Sequence, residues 1–181
     1  GASTEVWDAV YNSTGGVVNA PAILDTTGTI NRNVSVCALA SGGYAVAYED
    51  NGWGVGTVDI TVSTYTSAGI FVNSTDITDP TFSDDSSEDQ NPYIAQLSNG
   101  MLVVSYGDNA FVSDTDTIVI LLSSNLDVLA EHTVVGVSIF DDVNVSAVAG
   151  YGYGQVAVIE NDVGTNSGDA LQATRTSTGD N

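Results

Sequence analysis

The apolar positions of this chain fall in short runs, often alternating with polar ones, and Gly, Asn, Ser or Asp separates each run from the next. Thr57 to Tyr65 reads Thr-Val-Asp-Ile-Thr-Val-Ser-Thr-Tyr. That period of two belongs to a strand with one buried face. Ser67-Ala68-Gly69 then turns the chain and Ile70-Phe71-Val72 continues it. Thr117 to Leu122, the turn Ser123 to Asp127, and Val128 to Val135 repeat this hairpin. So do Glu5 to Tyr11, Asn12 to Gly16, and Val17 to Leu24. A hairpin of another kind combines Tyr93 to Leu97, the turn Ser98-Asn99-Gly100 and the apolar run Met101 to Tyr106. No window of about 11 residues carries a helical stripe. The chain is therefore expected to be all-β.

These hairpins belong to a longer repeat. Asn33 to Asp50 aligns with Asn91 to Asp108 at an offset of 58, pairing Leu39 with Leu97, Gly42 with Gly100, Val46 with Val104 and Tyr48 with Tyr106. Asn144 to Asn161 aligns more loosely at an offset of 111, pairing Asn33, Ser35 and Glu49 with Asn144, Ser146 and Glu160. The chain reads as one repeat domain, 1–181, made of a half-unit 1–30, units 31–88 and 89–141, and a partial unit 142–181. Its thirteen expected strands run two, four, four and three. Four-stranded antiparallel units of this length suit the blades of a β-propeller. About four blades are needed to close a ring, so the expectation is a partial propeller with open sheet edges. A β-sandwich or jelly roll is the alternative, although a jelly roll has no such period.

Asp89-Gln-Asn-Pro-Tyr-Ile-Ala-Gln-Leu-Ser-Asn-Gly-Met-Leu-Val-Val-Ser-Tyr106 resembles the propeller-type repeats of secreted bacterial RTX and calcium-dependent adhesin proteins. Their repeat runs Asp-Gln-x-Asn-Pro-x-Val-x-x-Leu-x-Asp-Gly-Gly-Phe-Val-Val-x-Trp. Val36 to Tyr48 and Thr64 to Gly69 continue the likeness, which covers about residues 30 to 160, with Tyr48, Tyr106 or Ile159 in place of the usual Trp. The resemblance implies secretion, calcium-rich surroundings, and adhesive or structural roles. It implies no catalytic residues. The glycine-rich nonapeptide that holds calcium in RTX proteins does not occur here.

Charge narrows the partners. Of 181 residues, 23 are Asp or Glu and two are Lys or Arg, for a net charge of -21. The bases are Arg32 and Arg175, and there is no Lys. Nucleic acid binding needs several phosphate-neutralising cations and is excluded. Attachment to an anionic membrane fails on the same ground, and no stretch approaches the ~20 apolar residues of a membrane-spanning helix. Solubility from Asp, Ser, Thr and Asn suits an extracellular, cell-surface or virion-surface setting. Gly1, in place of Met, is what removal of a signal peptide or tag would leave. The single cysteine, Cys37, lies in an apolar run and reads as a small core residue.

Catalytic chemistry finds few residues to work with. His132 is the one histidine, no Gly-x-Ser-x-Gly elbow occurs, and zinc would need three or four His or Cys ligands. Sialidase-like propellers need an arginine cluster that two arginines do not make. The expectation is no enzyme. Asp84, Asp85, Glu88 and Asp89 put four carboxylates in six residues, and hard oxygen ligands of this kind suit Ca²⁺, the candidate cofactor. Trp53, Tyr151 and Tyr153 are expected in Gly-rich loops and form a candidate sugar platform. Asn12, Asn33, Asn73 and Asn144 stand in N-glycosylation sequons, about as many as this composition gives by chance. The leading expectation is a non-catalytic extracellular structural or adhesive protein that associates with copies of itself through open strand edges. The alternatives are a lectin-like module with glycans as partners, and a capsid or spike protein of a virus from a saline environment.

Overall fold

A computed structural model describes residues 3–52, 57–77, 88–111, 114–135, 142–151, 155–162 and 169–176, with side chains within 3–52, 57–77, 88–108 and 117–130. Its thirteen strands are β1 (Trp7–Tyr11), β2 (Val17–Ile23), β3 (Asn31–Ala38), β4 (Tyr44–Asp50), β5 (Asp59–Tyr65), β6 (Phe71–Asp76), β7 (Asp89–Gln96), β8 (Leu102–Phe111), β9 (Asp114–Leu122), β10 (Val128–Val135), β11 (Asp142–Tyr151), β12 (Gln155–Asp162) and β13 (Asp169–Thr176). They form four antiparallel sheets in chain order: β1-β2, β3-β4-β5-β6, β7-β8-β9-β10 and β11-β12-β13. The protein is all-β.

The turns show that sheets one to three are built on one plan. In the second hairpins, Asn12, Thr66 and Ser123 each exchange backbone bonds across a four-residue bend: the first residue donates to the carbonyl four residues on and accepts from the N–H three residues on. Their side-chain oxygens also accept from the N–H groups two and four residues on. The left-handed position falls on Gly15, Gly69 and Leu126. Leu39 and Leu97 open the same bend in the first hairpins, with Gly42 and Gly100 left-handed. The β1-β2 sheet thus corresponds to the outer hairpin of a unit.

A second shared feature is a bulge in the first strand. Asn33 and Val34 together oppose Tyr48, and Asn91 and Pro92 together oppose Tyr106. Both asparagines are left-handed, at φ 53° and 55°, a region Asn tolerates better than most residues. Pro92, which has no N–H to give, is accommodated at a bulge on an edge strand. Because the ladder resumes beyond the bulge, β7 starts at Asp89, four residues before the strand expected from the apolar run. The β11-β12 register also shifts around Asn144.

The sheets pack face to face. Ala45, Ala47, Ile60 and Val62 of the second sheet meet Ile94, Leu102, Val104, Tyr106, Ile118, Ile120 and Leu122 of the third. The other face of the second sheet, through Val46, Tyr48 and Tyr65, meets Val6 and Leu24. The third sheet's far face carries Leu97, Val103 and Val119, and β11 lies against its strands β7, β8 and β9. β5 was expected to have one buried face, yet all seven of its residues are buried. Its Thr, Ser and Asp positions are covered because this sheet has a neighbour on each side. Cys37 packs against the main core but is only partly buried, since it lies on the edge strand β3. Burial pushes its thiol up to about 11, so it stays protonated and unreactive at neutral pH.

Val46 and Val104, and likewise Tyr48 and Tyr106, are buried and look toward the preceding sheet. Val46→Ala and Val104→Ala should each cost about 1–3 kcal/mol. Urea unfolding of the two variants checks this, and a neutral result at either site would break their equivalence. Gly43 adds a backbone test. Its φ is 97°, and a Cβ there would sit 2.1 Å from the Tyr65 carbonyl oxygen. Gly43→Ala should lower the melting temperature more than Gly42→Ala, whose Cβ would meet nothing within 4 Å.

Candidate functional site

Where the second and third sheets meet at their first strands, one carboxylate organises the junction. Glu49, at the end of β4, is 0% exposed. It accepts from Arg32 Nε at 2.5 Å, from Asn33 Nδ2 at 2.5 Å and from the backbone N–H of Asn91 at 2.8 Å. The last bond crosses to the next sheet and lands on the bulge residue. Asn33 Nδ2 also reaches Asn91 Oδ1 at 3.4 Å. Two more bonds continue the seam: Ile94 N–H donates to Ser35 Oγ at 3.2 Å, and Ala40 N–H donates to Gln96 Oε1 at 2.6 Å. The seam therefore satisfies edge-strand N–H groups of β7 with side chains of the preceding unit. Arg32, one of the chain's two bases, is committed to it. Loss of Glu49 would leave the Asn91 N–H and the Arg32 guanidinium without this acceptor. Glu49→Ala should therefore cost about 2–3 kcal/mol by urea unfolding. The next unit has Gly107 at this place, and Gly107→Ala is expected to show no comparable hydrogen-bond loss.

At the same end of the sheets, acids line up across strands. Asp50 and Asp59 are register partners on β4 and β5, with the neutral Asn31 beside Asp50 on β3. Asp89, Asp108 and Asp116 follow on β7, β8 and β9, and Asp142, Asp162 and Asp169 on β11, β12 and β13. Like charges directly opposite one another oppose strand pairing. In the second sheet the row is buried. Asp50 accepts from Gly52 N–H at 2.7 Å and from the Thr61 hydroxyl at 3.4 Å. Burial raises its pKa above the usual carboxylate value, and the nearby Asp25 and Asp76 push the same way. The sequence had aligned Asp50 with Asp108, but only the register reveals the rows.

The folded protein thus holds the Asp50 proton more tightly than the unfolded chain does. Between the ordinary carboxylate pKa and the raised one, falling pH favours the folded state and rising pH removes that gain. Asp50→Asn keeps an oxygen for Gly52 and removes the charge. It should raise the melting temperature at pH 7 and flatten its rise on mild acidification. Identical pH profiles for variant and wild type would show that Asp50 is not a source of the pH dependence.

An open groove of about 390 Å³ separates the half-unit from the second sheet. Val34, Val36, Tyr44 and Val46 form one wall, and Trp7, Val10 and Tyr11 lie on the other. Tyr44 donates to Asp8 Oδ2 at 2.5 Å across it and stacks on Tyr65 with ring centres 5.1 Å apart. Burial raises the Tyr44 hydroxyl pKa above its ordinary value, and the bond to Asp8 adds to the rise. Burial likewise pushes Tyr65 up to about 12. Both phenols remain protonated at physiological pH, and Tyr44 serves as a donor to Asp8.

The residues expected from sequence to bind ligands are placed as follows. Asp84, Asp85, Trp53 and Tyr153 lie outside the described residues. Glu88 is exposed, whereas Asp89 is buried at the head of β7, opposite Asp108. Tyr151 is the last residue of β11 and not a loop residue, because strand pairing with Gln155 runs through it. His132 lies in β10 as expected. Among the described residues no group of three or more His, Cys, Asp or Glu is arranged to hold a metal ion.

No protein-family model and no curated protein matches the chain. Among solved structures it is similar to a protein of unknown function from Bacteroides caccae, with 12% identity and a TM-score of 0.47 over 97% of this chain. The chain spans 56% of that protein's length.

Proposed function

We propose that this chain is a non-catalytic structural protein of the extracellular kind, which joins copies of itself through the open edges and uncovered faces of its sheets. The observation that carries this reading is exposed apolar side chain on edge strands, among them Val34 and Val36 of β3 at 55% and 64% exposure. The outer strands support it. β2, β6 and β10 each begin with an exposed apolar pair, Val17-Val18, Phe71-Val72 and Val128-Leu129. Edge strands with apolar side chains are the surfaces on which other strands add. Near-absence of basic residues suits an extracellular or virion-surface setting and disfavours polyanionic partners.

Light scattering and electron microscopy over a concentration series test this reading. Assembly growing with concentration is expected, and a strictly monomeric particle at the highest concentration would sink it. Calcium is proposed as an accessory ligand of the acidic segment 84–89. Millimolar Ca²⁺ should raise the melting temperature beyond NaCl of equal ionic strength, and Asp85→Asn with Asp89→Asn should remove the difference. Equal effects of the two salts would reduce the segment to a screened acidic stretch.

A further inference from the structure

The sheets have two unlike ends. Hairpin turns fall at one end, and the connections between hairpins and between sheets fall at the other. The aspartate rows, together with Asp25 and Asp76, stand at the connection end. The turn end is nearly free of charge. Residues 9–24, 60–75 and 117–126, from the outer hairpins of the first three sheets, contain no acid. Asp127 of the third turn accepts from the Ser123 hydroxyl at 3.0 Å. At this end each outer strand begins with apolar side chains that are 46% to 64% exposed: Val17-Val18 at β2, Ile70-Phe71-Val72 at β6 and Val128-Leu129 at β10. The second sheet, packed on both faces, exposes them as fully as the others do. One repeated contact holds neighbouring outer hairpins side by side. Asn19 on β2 lies against the second sheet's turn, where a Cβ on Gly69 would be 2.6 Å from its Nδ2. Asn73, its equivalent on β6, donates to the Asn125 carbonyl oxygen in the third sheet's turn at 3.0 Å. The three apolar steps therefore form one strip across the turn ends.

Resting on the reading of this chain as self-associating, we propose that the strip joins two copies across a two-fold axis that passes through Ile70-Phe71-Val72. Charge selects this surface. Two chains of net charge -21 repel wherever their acids face each other, and the strip lets them touch with both acidic ends turned away. The strip is also complementary to itself. Under the two-fold, the central three residues meet their own copies, and Val17-Val18 of each copy meets Val128-Leu129 of the other. These half-exposed side chains offer on the order of 700 Å² per copy, close to the roughly 800 Å² per partner of a standard interface. An interface of this symmetry is closed, so the strip by itself makes pairs and not chains.

Sedimentation velocity of the full chain over a concentration series tests the joint. Ile70→Asp puts a charge at the centre of the strip, at a position 64% exposed. Its melting curve should match wild type, while its dimer weakens about tenfold or more. Val36→Asp, at an equally exposed position off the strip, should dimerise as wild type does. If Ile70→Asp dimerises as wild type does, the strip is not the joint and self-association itself still stands. Equal weakening by Val36→Asp would trace the effect to added charge and overturn the assignment to the strip. If wild type is monomeric at every concentration, self-association fails along with the joint. Cysteines introduced in a Cys37→Ala background read the symmetry. Under mild oxidation with diamide, Ile70→Cys should form a disulfide-linked dimer with itself. Val18→Cys should link to Val128→Cys and not to a second Val18→Cys chain. Self-linkage of Val18→Cys would overturn the two-fold arrangement.

Discussion

The second and third sheets are apolar on both faces, and the rest of the structure follows from that constraint. β4 alternates Ala45 and Ala47 toward one neighbour with Val46 and Tyr48 toward the other. A sheet of this kind cannot stand at a water boundary without exposing one set. Stacking copies of the unit solves the problem for every sheet except those at the ends, as in any array whose repeats bury their faces only against each other. Val34 and Val36 are exposed, whereas Pro92 and Ile94, the same positions one unit later, are covered by the second sheet.

Charge is subordinate to this packing. With two bases against 23 acids, ion pairing cannot neutralise the carboxylates. The described structure places Arg32 where one acid is fully buried and bonded to the neighbouring unit's backbone. In the second sheet's cross-strand row, the Gly52 N–H and the Thr61 hydroxyl donate to Asp50. Burial raises the Asp50 pKa, an adjustment open to a carboxylate but not to a guanidinium. An acidic chain can therefore bury some of its carboxylates with few counter-ions, at a cost in stability that grows with pH.

Strands and turns were legible in the sequence because both depend on local chemistry. The alternation of Thr57 to Tyr65 and the Gly turns follow from residues close in the chain, and the offset of 58 from comparing two such local patterns. Features that depend on neighbours were not legible. Alternation in β5 implied a wet face, but a second sheet covers its Thr and Ser positions. The reach of β7 back to Asp89 depends on a bulge, and Asn91 resembles an ordinary turn residue until its φ is known. The aspartate rows needed the strand register, and the Glu49 seam needed the contact between units. Tyr151 followed glycine as a loop residue would, yet it ends a strand. The acidic residues at 84 and 85 and the aromatics at 53 and 153 fall outside the described residues, so the metal and sugar readings rest on sequence alone.

The turns indicate what a repeat of this sort must preserve. Asn12, Thr66 and Ser123 differ chemically, yet each offers one oxygen to the same two N–H groups. Leu39 and Leu97 form the same bend without such an oxygen. What persists is the backbone path, which any first residue that leaves the bend unstrained can support. Leu126 shows the exchange most directly. It adopts the left-handed conformation found at Gly15 and Gly69, which costs a side-chain-bearing residue about 1–2 kcal/mol. Its side chain is buried in the main core, which returns an energy of similar size. A unit can thus lose a turn glycine and keep its turn wherever the neighbouring sheet offers a place to bury what replaces it. Sequence identity between units falls while their geometry is kept, because packing between sheets accommodates the change.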